Sequence, residues 1–182
     1  MRARDIPNLL CVFRIVMTVP VGWAIIEGRY PLAMSLFFIA GVTDGLDGFL
    51  AKRFSWQSRL GGLLDPAADK LLLATAFVTL WMAGYVPGWL LAAVVIRDLV
   101  IVTGAALYHW RVQRLNAEPS IASKLNSFLQ LLYILSTLSL LVFGLPPGGL
   151  IAALGWVVLL TTTYSGIDYV VRWAARARAA DA

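Results

Sequence analysis

Four aspartates fall within a short stretch of this chain: Asp44, Asp47, Asp65 and Asp69, with no other acid between Thr43 and Lys70. Asp44 and Asp47 are three positions apart, and Asp65 and Asp69 are four apart, so on α-helices each pair shares one face. Carboxylates gathered in one cavity repel one another and take up protons unless cations neutralise them. Oxygen-only donors select hard divalent ions, Mg²⁺ or Mn²⁺, and four carboxylates suit two such ions. Two ions about 3.5 to 4 Å apart can clamp the attacking and leaving oxygens of a displacement at phosphorus. The spacing therefore predicts metal-assisted phosphoryl chemistry. Only Lys70 lies in a span beside the four acids, so pairing with helix cations does not account for them. A single His109 and a single Cys11 exclude a histidine metal site, a Ser-His-Asp triad and an intrachain disulfide.

The elements that must position these residues follow from composition. The 182 residues are 60% hydrophobic and 14% charged, with a mean hydropathy of +0.79. A soluble domain carries about 45 to 50% apolar and about 25% charged residues, so a water-soluble globule and a disordered chain are both excluded. The expectation is an integral membrane protein of all-α class. A spanning helix needs about 20 apolar residues, and apolar runs between Gly, Pro and charge clusters give six: 6–26, 31–53, 62–84, 87–110, 120–143 and 148–173. Nothing is left over for a soluble domain, so residues 1–182 form a single transmembrane domain. Glu27-Gly28-Arg29, the stretch from Gly84 to Gly88 and the stretch from Gly144 to Gly149 read as tight turns.

Arg2 and Arg4 precede the first span, Lys52, Arg53 and Arg59 lie between the second and third, and Arg111 and Arg114 between the fourth and fifth. Arg172, Arg176 and Arg178 end the sixth, while the other three connections hold only Arg29. By the positive-inside rule both termini and the active site are cytoplasmic, in a multi-pass protein of a bacterial-type inner membrane. The net charge of +5 then serves the anionic membrane surface and implies no nucleic-acid partner. The first span carries Arg14 and Pro20 and ends without a small-residue cleavage site, so it reads as a span and not as a signal peptide. Trp81, Trp89, Trp110 and Trp173 fall near span ends, as an aromatic belt would. A divalent-cation transporter built on the same acids would need polar residues across the outer half, whereas residues 31–40 and 71–83 are apolar.

Asp44-Gly45-Leu46-Asp47-Gly48-Phe49-Leu50-Ala51-Lys52, then eight residues, then Gly61, Asp65 and Asp69 resembles the motif of the CDP-alcohol phosphatidyltransferase family, DxxDGxxAR followed by eight residues and GxxxDxxxD. Every fixed position matches except the Arg, where this chain has Lys52 followed by Arg53. The resemblance implies six transmembrane helices, usually in a homodimer, and a CDP-linked lipid donor whose diphosphate sits on two metal ions. Carried over by position, it makes Asp44, Asp47 and Asp65 metal ligands and Asp69 both ligand and general base. It puts Asn8, Asp44, Gly48, Ala51, Lys52 and Gly61 around the CDP group. The stretch from Ile6 to Arg14 resembles the opening of the glycerolipid branch, where Thr is usual at Cys11.

Arg53, Arg97 and Lys124 are the candidates for binding the acceptor. The run Ser123-Lys124-Leu125-Asn126 resembles that of cardiolipin synthases using CDP-diacylglycerol, whereas phosphatidylglycerophosphate synthases tend to carry Gly-Lys-x-Lys-Thr there. Phosphatidylglycerol is therefore the expected acceptor, giving cardiolipin and CMP, with glycerol 3-phosphate as the alternative. Three charges inside spans remain. Arg14 needs an anionic partner or a snorkelling path. Arg97 and Asp98 are adjacent, point about 100° apart and so form no helix-face pair. Asp168 has no evident partner.

Overall fold

The computed structural model describes the backbone of residues 6–54, 61–112 and 121–180, and the side chains of residues 11–43, 68–104 and 121–172. The described residues form six helices and no strand: α1 (Ile6–Ile26), α2 (Tyr30–Phe54), α3 (Gly61–Met82), α4 (Gly88–Val112), α5 (Ile121–Phe143) and α6 (Gly148–Ala180). Each begins within a residue or so of its expected span. The last helix runs past Trp173 because Ala174, Ala175, Ala179 and Ala180, interleaved with Arg, are strong helix formers.

Glycine ends the helices where the sequence places turns. Gly28, Gly84 and Gly144 adopt φ of 69°, 82° and 72°, a left-handed conformation that costs a residue without a Cβ little. At the end of α1, Gly28 N–H donates to Ile25 O (3.1 Å) and Arg29 N–H to Ala24 O (2.8 Å). The end of α3 repeats the pattern, with Gly84 N–H donating to Trp81 O (2.9 Å) and Tyr85 N–H to Leu80 O (2.9 Å). After α5, Gly144 N–H donates to Leu140 O (2.9 Å). Carbonyls in the last turns of α1, α3 and α5 are thereby satisfied without a side chain.

The chain divides into two compact units: Met1–Val86 with Ile134–Pro146, and Pro87–Tyr133 with Pro147–Ala182. In the first, α1 packs on both α2 and α3. The packed face of α1 is a stripe spaced by three and four, Cys11, Arg14, Thr18, Val21 and Ile25, all buried. Opposite it stand Ala68, Leu72, Ala76 and Leu80 of α3 and Ala33, Phe37 and Ala40 of α2, also buried. Small residues allow close approach. A Cβ at Gly22 would lie 2.9 Å from Thr75 Cγ2 and 3.4 Å from Thr79 Cγ2, so only glycine fits where α1 meets α3.

In the second unit α4 packs on α6. Trp89 and Trp156 stack with ring centroids 4.8 Å apart, and Gly155 lies where a Cβ would be 3.3 Å from Tyr133 Cε2. Two of the expected belt residues, Trp110 and Trp173, lie outside the described side chains, as does His109.

Among the described residues two helices are long and apolar enough to cross a membrane, Ile121–Phe143 and Gly148–Arg172, and Cys11–Ile26 and Tyr30–Thr43 are shorter apolar stretches. Only 33% and 28% of the two long segments is buried. Phe128, Phe143, Trp156, Leu160, Tyr164 and Val171 stand exposed along them, the outward apolar surface that a lipid environment solvates and water does not.

Candidate active site

The two aspartate pairs lie on α2 and α3 as the spacing requires, Asp44 and Asp47 on the first, Asp65 and Asp69 on the second. Asn8 lies on α1, Gly48, Ala51, Lys52 and Arg53 on α2, and Gly61 opens α3. The side chains of Asn8, Asp44, Asp47, Gly48, Ala51, Lys52, Arg53, Gly61 and Asp65 lie outside the described residues. Asp69 is described. Its side chain is 41% exposed, and its carboxylate forms an ion pair with Arg14, whose side chain is 0% exposed. The guanidinium Nη1 of Arg14 donates to Asp69 Oδ1 across the α1–α3 seam.

This pair supplies the anionic partner that Arg14 needs, and it corrects the expectation that no helix cation answers the four acids. Arg14 lies on another helix, 55 positions away, so no local count of charges around Thr43 to Lys70 could include it. Among the described residues no three His, Cys, Asp or Glu side chains gather, and three of the four aspartates fall outside that description. The set fits divalent cations by its donor chemistry: hard carboxylate oxygens, paired on helix faces, one of them accessible and already drawing a cation.

Arg97 anchors a second polar centre, within the other unit. It is 5% exposed on α4. Its Nη1 donates to Asp98 Oδ1 (2.7 Å), and its Nη2 donates to Ser123 Oγ on α5 (2.7 Å) and Ser165 Oγ on α6 (2.8 Å). The expectation that Arg97 and Asp98 do not pair is therefore corrected: a guanidinium on a three-carbon stem bends back to a neighbour that the 100° offset of the Cβ vectors separates. The Arg97 stem packs on Gly166, where a Cβ would stand at ordinary contact distance, 3.6 Å from Arg97 Cγ.

A neutral network continues along α5 and α6. Thr162 Oγ1 donates to Asn126 Oδ1 (2.8 Å), Thr161 Oγ1 donates to the same oxygen (3.0 Å), and Gln130 Nε2 donates to Thr162 Oγ1 (3.5 Å). Ser123, Asn126 and Gln130 share one face of α5 by their spacing of three and four, a polar stripe the sequence offered and its apolar setting obscured. Lys124 is exposed, next in sequence to the Ser123 that Arg97 holds. Asp168 also has a partner: Arg172 Nε donates to its Oδ1 at 2.7 Å, one helical turn on. An open groove of about 370 Å³ runs along α4 and α6, lined by Ile96, Val100, Ile167 and Val170, with Arg97 and Thr162 among its polar members.

The sequence profile of the CDP-alcohol phosphatidyltransferase family matches residues 4–164. The chain belongs to this family. It is an enzyme family, which sets the cation-transporter reading aside. A Drosophila melanogaster protein named "Probable cardiolipin synthase (CMP-forming)" is 33% identical over 91% of this chain and 56% of its own length. Human "Cardiolipin synthase (CMP-forming)" is 31% identical over 90% of this chain and 60% of its own. A Mycobacterium tuberculosis "Probable phosphatidylglycerophosphate synthase" is 31% identical over 94% of this chain and 82% of its own length. The chain thus spans little more than half of the fly and human relatives. The phosphatidyltransferase match extends across both units, well beyond the aspartate motif.

Proposed function

We propose that this family member transfers a phosphatidyl group from CDP-diacylglycerol to the hydroxyl of a glycerol-type acceptor, releasing CMP, with phosphatidylglycerol as acceptor and cardiolipin as product. The observation that carries the reading is Asp69: an accessible carboxylate on α3, held by a buried arginine, at the position where the family motif has its base. The acceptor oxygen attacks the phosphorus that bears diacylglycerol, the bond from that phosphorus to the CMP oxygen breaks, and the acceptor proton passes to Asp69. Mg²⁺ or Mn²⁺ ions held by Asp44, Asp47, Asp65 and Asp69 would supply positive charge to the diphosphate and to the departing CMP. By motif position Gly48, Ala51 and Gly61 would face the nucleotide, and Asn8 and Lys52 would bind it.

Arg97, Arg53 and Lys124 bind the acceptor phosphate. The open groove supports a lipid acceptor, because it joins an apolar wall to a buried guanidinium, the chemistry of a chain and an anionic headgroup. We place all six helices across the membrane as a single domain, with termini and active site cytoplasmic, and take the working form as a homodimer. The mycobacterial relative favours one second reading, glycerol 3-phosphate as acceptor.

The test is purified protein with radiolabelled CDP-diacylglycerol and glycerol 3-phosphate, phosphatidylglycerol, inositol or serine offered separately. Cardiolipin and CMP from phosphatidylglycerol are expected. Phosphatidylglycerophosphate forming faster than cardiolipin transfers the assignment to the second reading.

A further inference from the structure

A guanidinium without exposed surface, two turns into an apolar helix, is costly unless its partner serves a purpose there. The Arg14–Asp69 pair is lopsided: the cation is sealed at 0% exposure while the Asp69 side chain stays 41% exposed. A sealed cation on an accessible carboxylate restrains that carboxylate while leaving it open to a substrate. The anchor is itself rigid, since Arg14 sits within the buried stripe Cys11, Thr18, Val21 and Ile25, and the Gly22 contact with Thr75 sets the register of α1 on α3.

We propose that Arg14 is a positioning residue for phosphatidyl transfer. Locked in register by the α1–α3 seam, its guanidinium fixes the rotation of the Asp69 carboxylate, so that the acceptor hydroxyl meets that base in one geometry. The inference rests on Asp69 being the base. Arg14 acts through Asp69, the group that meets the acceptor, and displacement of such a group by about 1 Å can cost about 100-fold in rate.

The experiment compares wild type, Arg14→Met, Arg14→Lys and Asp69→Asn as full chains in detergent, with CDP-diacylglycerol and whichever of phosphatidylglycerol and glycerol 3-phosphate turns over faster. It reads kcat, both KM values and Mn²⁺ affinity by electron paramagnetic resonance. Arg14→Met is expected to lower kcat about 100-fold, with each KM within about threefold of wild type and the Mn²⁺ affinity reduced no further than in Asp69→Asn, since Asp69 is also a proposed metal ligand, and Arg14→Lys to recover part of the loss. A kcat within threefold of wild type overturns the proposal, and so does a loss of Mn²⁺ affinity beyond that of Asp69→Asn, which marks collapse of the site. Should Arg14→Met fail to fold, Arg14→Lys decides: kcat lowered about tenfold at unchanged KM supports the proposal, and wild-type kcat overturns it. An active Asp69→Asn removes the base itself and the proposal with it, whereas an inactive Asp69→Asn beside an unimpaired Arg14→Met overturns the positioning role alone.

Discussion

Arg14 and Arg97 are both buried arginines, one in each unit, and they are held in opposite ways. Arg14 sits in a stripe of small and apolar residues and pairs with a carboxylate brought from another helix. Arg97 has its carboxylate next in sequence and spreads its remaining donors over the hydroxyls of Ser123 and Ser165. The difference separates two uses of one side chain. A guanidinium distributed over three helices ties those helices together, and its removal costs stability. A sealed guanidinium that holds an accessible carboxylate constrains that carboxylate, and its removal costs rate.

The sharpest way to break this contrast lies at the accessible carboxylate. Asp69→Asn is expected to reduce turnover by about 10² to 10⁴-fold, the usual contribution of a general base, and EDTA to abolish turnover reversibly. A loss below tenfold would show that the first arginine constrains nothing of consequence, and full activity in metal-free buffer would overturn the dinuclear metal site.

Arg97→Met tests the other half. Asp98 keeps a quarter of its side chain exposed, so its abandoned charge is partly screened, and the variant is expected to lose about 2 kcal/mol of unfolding free energy, read by thermal unfolding in detergent. Lys124→Ala, which touches no part of that network, is expected to leave stability unchanged and to raise the acceptor KM severalfold with the donor KM intact. Arg97→Met, placed at the acceptor by the proposed function as well, is expected to raise the acceptor KM too, and equal destabilisation by both variants would erase the distinction between a residue that also ties helices and one that only binds the acceptor.

The smallest effect belongs to the neutral network. Thr162→Val keeps shape and removes the bond to Asn126, and hydrogen bonds between membrane helices average about 0.6 kcal/mol. A loss above about 2 kcal/mol in the same unfolding measurement would mean that the hydroxyls and not Arg97 hold the second unit together.

The helices and their turns were legible because each signal is local: an apolar run, a glycine where the backbone turns left-handed, a break in charge. The Asp168–Arg172 bond corrects the expectation that Asp168 has no evident partner, although its signal, an acid and a base one turn apart, is local. The partner of Arg14 was not legible. Charge and burial announce that a partner is needed, but which of several aspartates meets it depends on the register of α1 on α3, set by contacts such as Gly22 with Thr75 that sequence spacing does not encode. The two halves of the candidate site differ in the same way, since spacing alone groups Asp44 with Asp47 and Asp65 with Asp69, while the link from Asp69 to α1 exists only in three dimensions.

Cys11 is the chain's only thiol, and it lies buried one turn before Arg14 on the same stripe of α1. A maleimide that cannot reach it in the folded protein reaches it once α1 leaves α3. The rate of that single alkylation therefore counts openings of the buried stripe of α1 in unmodified protein, under turnover or at rest, and an opening that carries Arg14 with it leaves Asp69 without its arginine.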